Sequence, residues 1–100
     1  MILKAQDSGR IINMNVGDTF FVHLQENPTT GYRWTVDSTH GMKELENQLK
    51  LGEAVGAAGT RLFQFQTTGV GSYVLRMKYY RQWEEQDSAI DCFHVEIVVK

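Results

Sequence analysis

The sequence predicts an all-β fold, an immunoglobulin-like antiparallel β-sandwich of about seven strands. Short runs in which apolar and polar residues alternate recur along most of the chain, and turn-forming residues separate these runs. One run has an inward-facing tryptophan, Trp34, at its centre. Because Cys92 is the single cysteine, no internal disulfide can form, and Trp34 must pack on aliphatic and aromatic side chains instead.

Two of the predicted strands flank a hexapeptide of turn-forming residues, Asn27-Pro28-Thr29-Thr30-Gly31-Tyr32, here called the first loop. The strands, 19–24 and 32–37, each place alternate apolar side chains on one face. Pro28 fixes its own φ and lacks an amide donor, whereas Gly31 permits a positive φ before the next strand. The first loop is therefore predicted to be a stiff connection between two core strands.

The remaining strands are shorter or less distinct. A polar turn at 7–9 separates two short runs, and a Gly-rich turn at 68–72 separates two long ones. These four runs are 2–4, 10–14, 60–67 and 73–79, and a last strand is predicted at 93–99.

Segment 42–51 is ambiguous from its residues alone. Met42, Leu45 and Leu49 lie at helical spacing, and Glu46 and Lys50 form a favourable i,i+4 pair. However, Leu45, Leu49 and Leu51 also share the parity of a strand.

Length and composition narrow the functional classes. A chain of 100 residues with 42% hydrophobic residues predicts one domain, 1–100, and we expect a monomer. The net charge of -2 comes from interspersed charges without a basic stripe, which disfavours nucleic acid as a partner. No run is long enough to cross a membrane, so no membrane partner is predicted. The N-terminal residues lack a signal-peptide pattern, so the chain as written is expected to be cytoplasmic, although a removed leader would leave the same sequence.

No catalytic or metal-binding constellation can be assembled. Cys92 and His94 share one face of the last strand, but side chains two positions apart on a strand lie too far apart for a nucleophile and its base. His23 and His40 have no ligand spacing between them. The carboxylates within 84–87 are expected to be a solvated loop. We therefore predict no enzyme, metal or cofactor.

Two further segments suggest contact with another molecule. The glycine loop, Gly56-Ala57-Ala58-Gly59, lacks the lysine of a phosphate loop, which leaves either a tight connection or a binding edge. In the tryptophan loop, Arg81-Gln82-Trp83, the tryptophan is either drawn into the core or exposed as an interface anchor.

Together, the three segments resemble the motifs of the chagasin-like inhibitors of papain-like cysteine peptidases. NPTTGY in the first loop matches that family's first motif, Val55–Thr60 resembles its GxGG motif, and Arg81–Trp83 resembles its RPW motif. The resemblance implies an extended conformation for 42–51 and three loops gathered at one end of the sandwich. It implies a reversible, tight-binding inhibitor that blocks the active-site cleft of a papain-like cysteine peptidase. The peptidase-binding residues would be Asn27, Pro28, Thr29, Thr30, Gly31, Tyr32, Gly56, Ala57, Ala58, Gly59, Arg81, Gln82 and Trp83.

The chain departs from the family pattern at two positions. Ala58 stands in place of a glycine, and this would cost roughly 1 kcal/mol if the backbone there needs a positive φ. Gln82 stands in place of a proline, which should let the tryptophan loop sample more states before binding. An adhesion or carbohydrate-binding module that uses the same loops is the alternative function, since fold alone does not separate these classes.

Overall fold

The computed structural model describes residues 1–52 and 58–100, and this part of the chain contains eight β-strands. The predicted all-β class is confirmed, with one strand more than the predicted number. No helix in the described residues is long and apolar enough to cross a bilayer. The strands are β1 Ile2–Leu3, β2 Ile11–Met14, β3 Thr19–Glu26, β4 Tyr32–Ser38, β5 Met42–Lys50, β6 Gly59–Thr67, β7 Gly71–Arg81 and β8 Asp91–Val99.

The strands form two four-stranded sheets, in the orders β1-β3-β6-β5 and β2-β8-β7-β4. Most neighbours are antiparallel, as predicted, but β1 pairs with β3 and β2 pairs with β8 in parallel. These two short strands are edge strands. Their alternation determines which side chains face inward but carries no information about the direction of the neighbouring strand.

The core lies between the sheets and consists of the inward set of each alternating run. Trp34 is 4% exposed and belongs to this core, as its position in β4 predicts. The inward residues of β3, β6, β7 and β8 supply most of the remainder: Phe20, Val22, Leu24, Phe63, Phe65, Leu75, Met77, Phe93, Val95, Ile97 and Val99.

Segment 42–51 is extended over β5, as the family resemblance implies. β5 pairs with β6 from Met42 opposite Thr67 to Lys50 opposite Thr60, so the ladder to β6 outweighs the local helical pattern. The register shifts between Glu44 and Glu46, and Leu45 at this irregularity is exposed. A bulge inserts one residue and changes strand parity, which explains why neither period fits the whole segment.

Strand directions decide where the loops lie. β5 and β6 are antiparallel, as are β3 and β6, β4 and β7, and β7 and β8. β3 and β5 therefore end where β6 begins, and β7 ends where β4 and β8 begin. The short connection from Glu26 to Tyr32 places the end of β3 beside the start of β4, so these six strand ends lie at one end of the sandwich. The described parts of the connections after β3, β5 and β7 share this end, which is the arrangement that the resemblance implies.

Candidate functional site

The first loop is a single 3-10 turn, Pro28–Thr30, closed by its own hydrogen bonds. The Asn27 side-chain oxygen accepts hydrogen bonds from the Thr29 backbone N–H at 3.1 Å and from the Thr29 hydroxyl at 2.7 Å. The Thr30 hydroxyl donates to the Asn27 carbonyl at 2.9 Å. Gly31 ends the turn with φ +80°, the left-handed conformation expected of this glycine. Pro28, Thr29 and Thr30 are exposed at the tip.

A column of stacked side chains connects the core to the first loop. The Trp34 ring stacks on Tyr79 at a centroid distance of 4.9 Å, and Tyr79 lies 5.4 Å from Tyr32. The Arg81 guanidinium carbon lies 4.5 Å above the centre of the Tyr32 ring, a cation-π arrangement. The Asn27 backbone N–H donates to the Tyr79 hydroxyl at 3.1 Å. This column links the buried Trp34 to the first loop through a series of direct contacts.

The tryptophan loop rests on the first loop. Trp83 is 73% exposed and is not drawn into the core. The tip of its indole lies over Gly31, so close that an added Cβ at Gly31 would overlap the Trp83 Cη2 atom. Arg81 Nε donates to the Thr30 carbonyl at 3.1 Å, and its Nη1 lies 3.4 Å from the Glu84 carboxylate. The two loops therefore form one continuous surface.

Gln82 is held by a bond that sequence reasoning did not anticipate. Its side-chain amide donates to the Thr35 hydroxyl on β4 at 2.9 Å. The Glu84 N–H donates to the Arg81 carbonyl at 3.0 Å, so Gln82 is the second residue of a β-turn, a position that favours proline. The glutamine loses the fixed φ of a proline but gains a side-chain bond to the neighbouring strand.

The glycine loop is described only at its C-terminal end, because Gly56 and Ala57 lie outside the described residues. Ala58 is half-buried and Gly59 is buried. Gly59 is the first residue of β6 and lies opposite Glu26, the residue before the first loop. A Cβ at Gly59 would lie 2.9 Å from the Lys50 carbonyl oxygen, which explains why this position needs glycine. This end of the glycine loop thus borders the stem of the first loop.

A buried ion pair at the base of these loops was missed by sequence reasoning. Glu26 is 2% exposed and Arg61 7% exposed, and the Arg61 Nη2 atom lies 2.6 Å from Glu26 Oε2. The signal was present: Glu26 continues the inward parity of Phe20, and Arg61 that of Phe63. Opposite charges at two inward positions of paired strands indicate a buried pair.

The other chemical candidates are exposed side chains on the outward face of β8 and in the loop after Trp83. Cys92 and His94 are exposed on the outward face of β8, and the His94 backbone N–H is bonded to the Ser8 hydroxyl. Glu84 and Glu85 are exposed. Within residues 1–52 and 58–100, no cluster of histidine, cysteine and carboxylate side chains is arranged to hold a metal ion.

An immunoglobulin-like sandwich that presents adjoining loops at one end belongs to the class of loop-presenting binding domains. Comparison with known families identifies the particular one. The sequence model described as Chagasin family peptidase inhibitor I42 matches residues 13–97, and the chain belongs to this family. The resemblance drawn from the three motifs is confirmed, as is the predicted function, inhibition of papain-like cysteine peptidases. The family consists of inhibitors rather than enzymes.

Individual relatives agree with this assignment. The chain is 27% identical over 92 residues to chagasin of Trypanosoma cruzi, covering 82% of this chain and 81% of that protein. It is 22% identical over 104 residues to amoebiasin-2 of Entamoeba histolytica, covering 99% and 85%.

Solved structures share the fold. The cysteine protease inhibitor EhICP2 of Entamoeba histolytica superposes with a TM-score of 0.89 at 21% identity, covering 99% of this chain and 94% of that one. PbICP-C, solved in complex with falcipain-2, superposes with a TM-score of 0.71 at 15% identity, covering 99% and 98%.

Proposed function

We propose that this protein blocks the active-site cleft of a papain-like cysteine peptidase reversibly, with the first loop as the wedge and the other two loops on either side. Thr29 and Thr30 cover the catalytic cysteine and histidine of the peptidase. The contact residues are those named from the motifs: Asn27, Pro28, Thr29, Thr30, Gly31, Tyr32, Gly56, Ala57, Ala58, Gly59, Arg81, Gln82 and Trp83.

The observation that carries this proposal is the contact between the first loop and the tryptophan loop. Trp83 lies on Gly31, and Arg81 bonds to the Thr30 carbonyl, so the two motifs present one surface. An exposed tryptophan beside an arginine is the composition of an interface anchor. The third motif borders this surface as well, because Gly59 of the glycine loop lies opposite Glu26, the residue before the first loop.

The geometry of the first loop favours tight binding. Its turn is already closed by Asn27 and Thr30 hydrogen bonds, and Tyr79 holds its first N–H. A loop that is ordered before binding loses little conformational entropy when it docks, so more of the contact energy appears as affinity. Its exposed tip is a single turn of three residues, Pro28–Thr30.

The test is an inhibition assay against papain with a bulky charge placed at the tip. Thr29→Arg should weaken inhibition by about 2 kcal/mol or more, roughly thirtyfold, because the arginine would clash within the cleft. Its melting temperature should stay close to that of the wild type, since an exposed loop tip contributes little to the core.

The matched control is Thr68→Arg, which adds the same side chain to an exposed threonine at the opposite end of β6. It should leave inhibition unchanged. Equal inhibition by Thr29→Arg and the control would show that the first loop is not the wedge. Absence of papain inhibition by the wild type would instead argue for a different target peptidase.

A further inference from the structure

The ion pair of Glu26 and Arg61 lies beneath the site, next to the stems of two of its loops. Glu26 precedes the first loop directly, and Arg61 follows Gly59 by two positions. Arg61 contacts the carboxylate with two nitrogens, Nε to Oε1 at 3.2 Å and Nη2 to Oε2 at 2.6 Å. The stems of the first loop and the glycine loop therefore share one two-pronged contact.

The same carboxylate also reaches the other sheet. Glu26 Oε1 accepts a hydrogen bond from the Trp34 backbone N–H at 2.8 Å. Trp34 lies on β4, an edge strand of the second sheet, so one side of its backbone has no neighbouring strand. Glu26 thus fastens the strand that enters the first loop to the strand that leaves it. The spacing between these strands fixes the width of the loop.

Arg61 extends the contact to a third strand. Its Nη1 donates to the Asn47 side-chain oxygen at 3.2 Å, and Asn47 lies on β5, which leads toward the glycine loop. The buried pair therefore joins β3, β4, β5 and β6 at the end where the loops emerge. In the described residues, no buried side-chain nitrogen or oxygen lacks a hydrogen-bond partner.

A buried ion pair is a weak source of stability, because desolvation of the charges offsets their attraction. Apolar residues of similar volume often serve folding as well or better. Such residues could fill the space of Glu26 and Arg61, but they could not accept the hydrogen bond that the Trp34 backbone N–H donates. The value of this pair therefore lies in the geometry it imposes.

We propose that Glu26 and Arg61 are positioning residues for inhibition: without touching the peptidase, they set the first loop at the spacing from β4 and Gly59 that the cleft requires. This inference rests on the proposed function. It predicts that binding and folding stability respond differently when the pair is replaced.

The main experiment replaces both charges by apolar side chains, Glu26→Leu with Arg61→Met. The double variant should fold with a melting temperature close to that of the wild type, because relief from burying two charges offsets the loss of the acceptor for the Trp34 N–H. It should dissociate from papain about tenfold faster or more, because the first loop loses its fixed spacing and is ordered only on binding. Amide hydrogen exchange at Trp34 should accelerate as well, since its acceptor is gone. A double variant with the wild-type dissociation rate and Trp34 exchange rate would overturn the proposal.

Glu26→Gln provides a second test of the proposal if the double variant does not fold. The amide keeps an oxygen for the Trp34 N–H but leaves Arg61 without its counter-ion, so the melting temperature should fall while dissociation stays within about twofold of the wild type. A rise in dissociation that follows the loss of stability would show that the pair merely stabilises the fold.

The control for general destabilisation is Thr67→Val, at the opposite end of β6. Thr67 is 1% exposed and donates to the Asn15 carbonyl at 2.7 Å, so the substitution also removes a hydrogen bond of a buried side chain. It should lower the melting temperature without changing dissociation. The two proposals fail separately: inhibition by Thr29→Arg at the wild-type level contradicts the wedge, whereas Trp34 exchange in the double variant tests the positioning pair even without a peptidase.

Discussion

At the scale of single residues, the two tryptophans divide stability from binding. Trp34 is 4% exposed, stacks on Tyr79 and donates its indole N–H to the Gln25 carbonyl at 2.9 Å. Trp34→Ala should leave a cavity and lower the free energy of unfolding by about 3–5 kcal/mol. Trp83 is 73% exposed. Trp83→Ala should lower it by less than about 1 kcal/mol, yet weaken peptidase binding by about 2 kcal/mol or more, mainly through faster dissociation.

Thermal melts and inhibition kinetics on these two variants provide the measurement. Each tryptophan serves as the control for the other, because the residue type is the same and only the environment differs. A Trp83→Ala protein that melts early and still inhibits normally would contradict the role of Trp83 as an anchor.

Gly31 combines two constraints that substitution can separate. Its φ is +80°, and the Trp83 indole lies against its Cα. Gly31→Ala should cost roughly 1 kcal/mol of stability through backbone strain and, in addition, displace the indole and weaken inhibition. Gly17→Ala is the matched control, because Gly17 has φ +89° with nothing within 4 Å of an added Cβ.

The control should show a similar loss of stability, read from chemical denaturation, with normal inhibition. If both alanine variants inhibit like the wild type, the contact between Gly31 and Trp83 has no part in binding.

At the scale of elements, the bond from Gln82 to Thr35 ties the tryptophan loop to β4. Gln82→Ala and Thr35→Val each remove it, and each should weaken inhibition by about 0.5–1 kcal/mol with little change in melting temperature. Because both variants break the same bond, their effects should not add in the double variant. Surface plasmon resonance on the four proteins of this cycle measures the coupling.

Ser72→Ala is the control for this cycle, since it breaks another exposed side-chain bond, from Ser72 to Glu96, at the far end of β7. It should bind like the wild type. Fully additive effects of Gln82→Ala and Thr35→Val would mean that the bond between the two residues does not support binding and that Gln82 acts only through its direct contact with the peptidase.

The elements themselves were largely predictable because a strand with one buried face imposes a period of two. The inward residues of β3, β4, β6, β7 and β8 follow from alternation. The parallel pairing of β1 with β3 and of β2 with β8 did not follow from alternation, since it depends on which neighbouring strand offers free backbone groups. β5 was ambiguous because a bulge near Leu45 interrupts its parity.

At the scale of the whole molecule, the site was predictable where it depends on short sequence motifs and not where it depends on contacts between distant strands. The motifs located the first loop and Trp83, and strand order placed them at one end. The bonds of Glu26 to Trp34 and of Gln82 to Thr35 join residues eight and 47 positions apart. The alternation of apolar and polar residues does not predict such contacts between side chains. The inward position of Glu26 does indicate that its carboxylate needs a buried partner.

Resistance to cleavage should depend on the fold as a whole, because residues outside the first loop help to hold its shape. Asn27 closes the turn from within, and Tyr79 and Glu26 hold its stem. A peptide bond held in a 3-10 turn does not adopt the geometry of attack by the catalytic thiolate. We expect the protein to stay intact during prolonged incubation with active papain, as followed by mass spectrometry.

Asn27→Ala tests the cause of that resistance. The alanine removes the oxygen that accepts from the Thr29 N–H and hydroxyl, which should cost about 1 kcal/mol of local order, typical of a lost cap. The loosened loop should then be cut between positions 27 and 32 within the time in which the wild type stays whole. Turnover of the wild type in this segment would make the protein a substrate, whereas an equally resistant Asn27→Ala variant would assign the protection to the supports below the loop rather than to its internal turn.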